Sequence, residues 1–394
     1  MQRNSPLFVL FITIFIDLLG FGIIIPILPT YAQELGAGSV MIGLLVTIYS
    51  IMNFLFGPFW GTLSDRIGRR PVILISIAIT AFSYVLLAGA NTVLLLFIAR
   101  FFAGIGSANI SAAQAYVTDI STPENRAQSL GLIGAAFGLG FIIGPPVGGL
   151  LKTHLGMEWV GGVTAALCIF NLVVAYLMLP ESVTEKSNRP GFMFDPFTDL
   201  LKELQKPVVR ELFWLNFMYI AAFSMMQVTV ALFWKEHDGL TEAQIGYTFA
   251  FMGLVSAIVQ GGLTGKLTAR FGEKKLLRYG IFIMAFGVLM IPFVPPGLFV
   301  PCGPLSISLV GLGISLMSPA ITSLISQTAA PHERGQTMGL MQSFGSLARA
   351  AGPAVGGLLY GFDYHFPYFG AALLMVVCWV LTGFVTRAYA AARL

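Results

Sequence analysis

Apolar residues run along this chain in blocks of about twenty, the length a helix needs to cross a hydrocarbon core, and polar residues are confined to short gaps between them. The stretch "VLFITIFIDLLGFGIIIPILP" is typical. Blocks that are apolar all round, rather than at alternate positions or along one stripe, predict buried or membrane-spanning helices. Read against their Gly, Pro and charged punctuation, the blocks give twelve spans, near 6–30, 38–63, 71–90, 92–118, 126–152, 158–179, 208–234, 241–265, 275–295, 298–328, 334–360 and 364–388.

Composition agrees with this pattern. Of 394 residues, 56% are hydrophobic and 10% charged, and the mean hydropathy is +0.83. Soluble domains carry roughly 25% charged residues, so a soluble fold here would have too few polar groups to cover its surface. The chain is read as an all-α, polytopic membrane protein. Cys168, Cys302 and Cys378 lie in or beside apolar blocks, without metal or disulfide spacing. The net charge of +4 points to no nucleic-acid partner, but its distribution is informative. With the N-terminus inside, Lys152 and Lys235 are the only basic residues of the connecting segments that fall outside. The positive-inside rule therefore places both termini in the cytoplasm.

Between spans six and seven lies the longest polar stretch, "PESVTEKSNRPGFMFDPFTDLLKELQKPVVR". Its prolines and charges mark a linker. Within it, "FTDLLKELQK" is short and amphipathic, and fits either a helix lying on the membrane surface or a solvated connecting helix. The expected division is a six-helix bundle over 1–180, a cytoplasmic linker over 181–207 and a second six-helix bundle over 208–394.

The two halves repeat each other. "GTLSDRIGRR" at 61–70 matches "GKLTARFGEK" at 265–274, and "ENRAQSLGLIGAAFGLGFIIGPPVGGLL" matches "HERGQTMGLMQSFGSLARAAGPAVGGLL" at an offset of 208. Parallel six-helix repeats are a transporter architecture, with the substrate held near mid-membrane. These motifs resemble the major facilitator superfamily over essentially the full chain. "GTLSDRIGRR" is similar to its signature loop between spans two and three. The glycine and proline spacing of "GLIGAAFGLGFIIGPPVGG" is similar to the span-five signature of its proton-driven exporters. "DLLGFGIIIPILP" resembles span one of the twelve-span drug:proton antiporters, especially the tetracycline-efflux branch.

The resemblance implies a cytoplasmic gate built from Gly61, Asp65, Arg66, Gly68, Arg69 and Arg70. The aspartate is expected to meet the start of span eleven, near Arg334 and Gly335, and the basic residues to meet Asp119 at the end of span four. A carboxylate beside a helix N-terminus is stabilised by roughly 0.3–1 kcal/mol. The second copy has Ala269 in place of the aspartate, so one latch is expected. Gly140, Gly144 and Gly148, with Pro145 and Gly149, form a smooth helix face open to close approach. With its twin at Gly352 and Pro353, that seam is expected to be where the halves rock.

Charges inside the spans are costly and usually functional or paired. Asp17 lies about 16 Å from one end of its span and Arg100 about 12 Å from the opposite side, at ~1.5 Å per residue, so a pair is expected. Burial and a nearby guanidinium act oppositely on a carboxyl's hold on its proton, which makes Asp17 and Arg100 the candidates for proton coupling. Thr13 shares a face with Asp17, and Ser107 and Ser111 continue the stripe from Arg100. The superfamily's cavity-lining spans also point to Asn216, Tyr219, Phe223, Met226 and Gln227 in span seven and Ser315, Ser318 and Thr322 in span ten. Arg349, whose counterpart is Phe141, either attracts an anionic substrate group or pairs with a carbonyl in the seam.

No enzyme motif is expected. "GGLTGK" lacks the first glycine and the Ser or Thr of a phosphate loop, and His154, His237, His332 and His365 have no metal-ligand spacing. No cofactor or metal is expected. The reading is a monomeric, proton-coupled exporter of amphipathic small molecules, cationic or zwitterionic, in contact with lipids of a bacterial inner or plasma membrane. The tetracycline branch carries further acids in spans three and nine, which 72–90 and 279–294 lack, so other substrates stay open. An importer or facilitator of a metabolite, lipid or siderophore is the rival, and a non-transporting receptor or enzyme the remote one.

Overall fold

In hydrocarbon a chain must satisfy every backbone N–H and C=O within itself, and the apolar blocks do so as helices. The computed structural model describes residues 5–121, 126–182, 203–328 and 334–391, and no strand occurs among them. The first half contributes α1 (Ser5–Ile24), α2 (Ile27–Glu34), α3 (Ser39–Ile67), α4 (Arg69–Ala88), α5 (Val93–Gly106), α6 (Ile110–Ile120), α7 (Arg126–Leu155) and α8 (Met157–Met178). The second contributes α9 (Pro207–His237), α10 (Glu242–Ile258), α11 (Thr264–Phe271), α12 (Glu273–Met290), α13 (Phe299–Thr328), α14 (Arg334–Phe362) and α15 (Phe366–Ala391). Most of the expected linker helix at 197–206 lies outside the described residues.

Nine helical segments among the described residues are long and apolar enough to cross a membrane. They leave large apolar side chains exposed, Leu177 at 74% and Phe282 at 65% among them, a surface suited to lipid rather than water.

Three expected spans are interrupted, each for a local reason. Span one turns at Ile25–Pro26 and continues to Glu34 as α2, because Pro26 has no N–H to extend the ladder. Span four breaks into α5 and α6 at a 3₁₀ turn over Ser107–Asn109. Span eight opens into a π turn at Val259–Leu263 between α10 and α11, where the Thr264 hydroxyl donates to the Val259 carbonyl at 2.8 Å. Upstream, Thr241 and Gln244 form a capping box that starts α10.

Two compact units divide the contacts. Unit 1 holds Met1–Ala37, Ile48–Phe194 and Thr241–Ala250; unit 2 holds Gly38–Thr47, Asp195–Leu240 and Phe251–Leu394. Within unit 1, α1 packs on α7, and α4 on α5 and α8. Within unit 2, α9 packs on α14, and α12 on α13 and α15. These are the same pairings by repeat position, so the sequence repeat is also a packing repeat.

Candidate functional site

Asp17 lies mid-way along α1. Its Oδ2 accepts from Asn109 Nδ2 at 3.0 Å, and that amide also donates to Ser76 Oγ at 2.9 Å. Asp17 Oδ1 is shielded and has no hydrogen-bond partner among the described residues. One turn earlier, Thr13 donates to Asn171 Oδ1 of α8 at 3.1 Å. Arg100 is 4% exposed, and its guanidinium lies over the Tyr49 ring at 4.5 Å, with no hydrogen-bond partner for Nε among the described residues. No ion pair joins Asp17 to Arg100 among the described residues. The reason is axial: Asn109 is what reaches Asp17, and Arg100, nine residues earlier on the same span, sits about 13 Å further along at ~1.5 Å per residue. It reaches the level of Tyr49, which stacks on Phe21, a turn beyond Asp17. Ser107 is half-buried at the start of the 3₁₀ turn, while the side chain of Ser111 lies outside the described residues.

In unit 2, a second polar group forms between α9, α13 and α14. Asn216 donates to the Met341 carbonyl at 3.4 Å, and the Tyr219 phenol is close to both Ser318 and Arg349. Arg349 Nη2 donates to Ser346 Oγ at 2.7 Å. A Cβ added at Gly345 would lie 3.3 Å from the Asn216 amide and 3.8 Å from Arg349 Nη1, so that glycine leaves room for both. Ser315 is buried and receives Gln260 Nε2 at 3.3 Å, and Thr322 bonds the Ser318 carbonyl at 2.9 Å. Phe223 is half-buried and Met226 fully buried, while Gln227 Nε2 is buried without a partner.

The 61–70 loop is tied into unit 1. Gly68 adopts φ +113°, a conformation side chains rarely tolerate, and lets α4 start at once. Arg69 pairs with Asp65 and, through Nε at 3.2 Å, with Asp119, as expected of the end of span four. Glu181 then caps α4, its Oε1 accepting from the Arg69 N–H at 2.9 Å and its Oε2 from that of Arg70 at 3.3 Å. Negative charge is favoured there because the first N–H groups of a helix have no internal acceptors. Arg70 Nη2 donates to the Tyr176 carbonyl at 2.6 Å. Gly61 and Arg66 are half-buried on the last turns of α3. The side chains of 331–336, near the start of span eleven where Asp65 is expected to make its contact, lie outside the described residues.

The second copy reverses the polarity of this contact. Glu273 stands at the position of Arg69 and Gln327 at that of Asp119. Glu273 Oε1 accepts from Ser323 Oγ and Gln327 Nε2, each at 3.1 Å. An acid with neutral donors thus replaces the Arg–Asp pair.

The glycine seam divides into two lines. Gly140, Gly144 and Gly148 face α1 inside unit 1: a Cβ at Gly144 would lie 2.7 Å from the Gly22 carbonyl carbon, and one at Gly140 2.8 Å from that of Leu18. In unit 2 Gly352 faces α9 in the same way, its Cβ falling 3.0 Å from Ser224 Cβ. Residues four apart share a helix face, so Pro145 and Gly149 form a separate line. That line meets the first turns of α10 around Ala243 and Gly246, and Pro353 with Gly357 meets Gly43 of α3.

Reading the sequence missed Asn109, Ser76, Tyr49 and Glu181. A stripe counted at a constant helical period passes over Asn109, and only the 3₁₀ turn re-aims it. Glu181 carried a signal, being an acid next to Pro180 at a helix end, but its partner is 111 residues away.

A family model described as the Major Facilitator Superfamily matches residues 10–353 and 304–393. The class D tetracycline resistance protein of Salmonella ordonez is 32% identical over 374 residues, covering 92% of this chain and 90% of its own. Multidrug resistance protein 1 of Bacillus subtilis (strain 168) is 29% identical over 391 residues, covering 97% and 96%. The crystal structure of the human organic anion transporter MFSD10 superposes with a TM-score of 0.73 at 25% identity, covering 97% of this chain and 100% of that one.

Proposed function

The chain belongs to the major facilitator superfamily, and from that premise we propose that this multi-pass membrane transporter is a proton-coupled exporter of amphipathic small molecules. The observation that carries the proposal is the Asp17 carboxyl, held by one amide at Oδ2 and shielded without a partner at Oδ1. A bare carboxylate oxygen removed from water is costly, and taking up a proton relieves that cost. Arg100, stacked on Tyr49 and short of Asp17, is the positive group whose approach favours the ionised form. Alternation between these two arrangements couples proton movement to the rocking of two six-helix halves.

The group of Asn216, Tyr219, Ser318 and Arg349 is the proposed substrate-binding wall of unit 2. Its guanidinium suits a substrate with an anionic or zwitterionic end rather than the cationic one expected from the sequence, and the likeness to an organic anion transporter supports that choice. Relatives named for tetracycline and multidrug resistance support export over import. The proposal includes twelve spans, cytoplasmic termini, bundles at 1–180 and 208–394 joined by a 181–207 linker, a monomeric state and a bacterial inner or plasma membrane.

The test is reconstitution in liposomes with proton and substrate fluxes recorded across pH against a panel of amphiphiles. The parent should accumulate a probe when a pH gradient is imposed, and Asp17→Asn should abolish accumulation while sparing downhill exchange. Full pH-driven accumulation by Asp17→Asn would sink the mechanism.

A further inference from the structure

Asp17 has two chemically equivalent oxygens, and its surroundings make them different. Ser76 Oγ donates its single hydrogen to the Ile73 carbonyl at 2.8 Å. Toward Asn109, at 2.9 Å, Ser76 can therefore only accept. That requirement turns the NH₂ end of the Asn109 amide toward Ser76, and the same nitrogen lies 3.0 Å from Asp17 Oδ2. Reversing the amide would set its oxygen against two acceptors. Oδ2 thus always meets a donor and has no room for a hydrogen of its own in that direction, whereas Oδ1 meets none.

We infer that Asn109 is a positioning residue that selects Oδ1 as the atom of Asp17 that carries the proton. The inference rests on the proposed proton-carrying role of Asp17. Asn109 ends the 3₁₀ turn between α5 and α6, so the break in span four is what delivers the amide. The titratable and charged groups around Asp17 are Tyr49 of α3, Tyr84 of α4, Arg100 of α5 and Cys168 of α8. On the α7 side the neighbours of α1 among the described residues include Gly140, Gly144 and Phe141, none of them titratable. None of the other groups donates a hydrogen bond to Oδ1. Proton exchange therefore takes place on the Oδ1 side, while Oδ2 stays the carbonyl oxygen of the acid.

A carboxylic acid whose carbonyl oxygen accepts a hydrogen bond absorbs at lower infrared frequency than one that is free. The experiment is infrared difference spectroscopy of the full-length protein in liposomes between acid and alkaline pH, with the Asp17 band identified by its loss in Asp17→Asn. In Asn109→Leu the C=O band should move to higher frequency. The pH at which it disappears should also rise, by roughly one to two units, because the ionised form loses a charge-assisted donor. Ser76→Ala, a smaller change, frees the amide to turn and should move the band in the same direction by less. A band unmoved in a folded Asn109→Leu, or in Ser76→Ala if the first variant fails to fold, overturns the assignment. A parent without any Asp17 band at any pH overturns the proton-carrying role itself.

Discussion

Gly144→Ala adds one methyl group where two helix backbones already touch. The new Cβ would stand 2.7 Å from the carbonyl carbon of Gly22 and 2.8 Å from its Cα. Ordinary carbon–carbon contact is about 3.5–4.0 Å, so α1 and α7 have to part by about 1 Å. Backbone on both sides cannot yield by changing rotamer, and Gly140 and Gly148 hold the same line above and below. Overpacking of this kind costs about 1–3 kcal/mol. Gly138, on the same helix, supplies the control: a Cβ there meets nothing within 4 Å, and Gly138→Ala should be neutral or gain up to about 1 kcal/mol from helix propensity. Thermal unfolding in one detergent should therefore rank Gly138→Ala at or above the parent and Gly144→Ala clearly below it. Equal melting of the two variants would refute the idea that close approach of α1 and α7 is what Gly144 supplies.

Asp65→Asn removes the exposed partner of an i,i+4 pair, and such helix pairs are worth only about 0.3–0.5 kcal/mol. Melting should barely change while transport slows and label-to-label distances between the two halves' cytoplasmic ends shift; normal transport with unchanged distances would leave Asp65 a topological charge alone. Arg349→Gln keeps hydrogen bonding but loses the charge near Tyr219, so apparent affinity for an anionic amphiphile should fall about tenfold with a neutral one little affected; equal losses for both would remove Arg349 from substrate recognition. Arg100→Ala removes the cation proposed to approach Asp17 during the cycle and should displace the pH optimum of residual transport upward, which a flux series across pH reads directly.

Residue order alone determined most of the architecture. Twenty-residue apolar blocks leave helix as the only way to satisfy the backbone in lipid, and matched glycines at an offset of 208 announce two related halves. The Arg69–Asp119 contact was legible through the resemblance to the superfamily's gate, in which the basic residues meet an acid at the end of span four. The partner of Asp17 was not. Counting residues from span ends placed Arg100 at a similar depth, but the amide of Asn109, at the end of the Ser107–Asn109 turn, is what reaches Asp17. An amide takes the place expected for a guanidinium, which lies over the Tyr49 ring instead. The glycine seam shows the same division. Its spacing told that something packs closely against α7, but only the fold decided that Gly144 faces α1 and Gly149 faces α10. Period fixes which residues share a helix face, and helix crossings, which depend on side chains far apart in the chain, decide what that face meets.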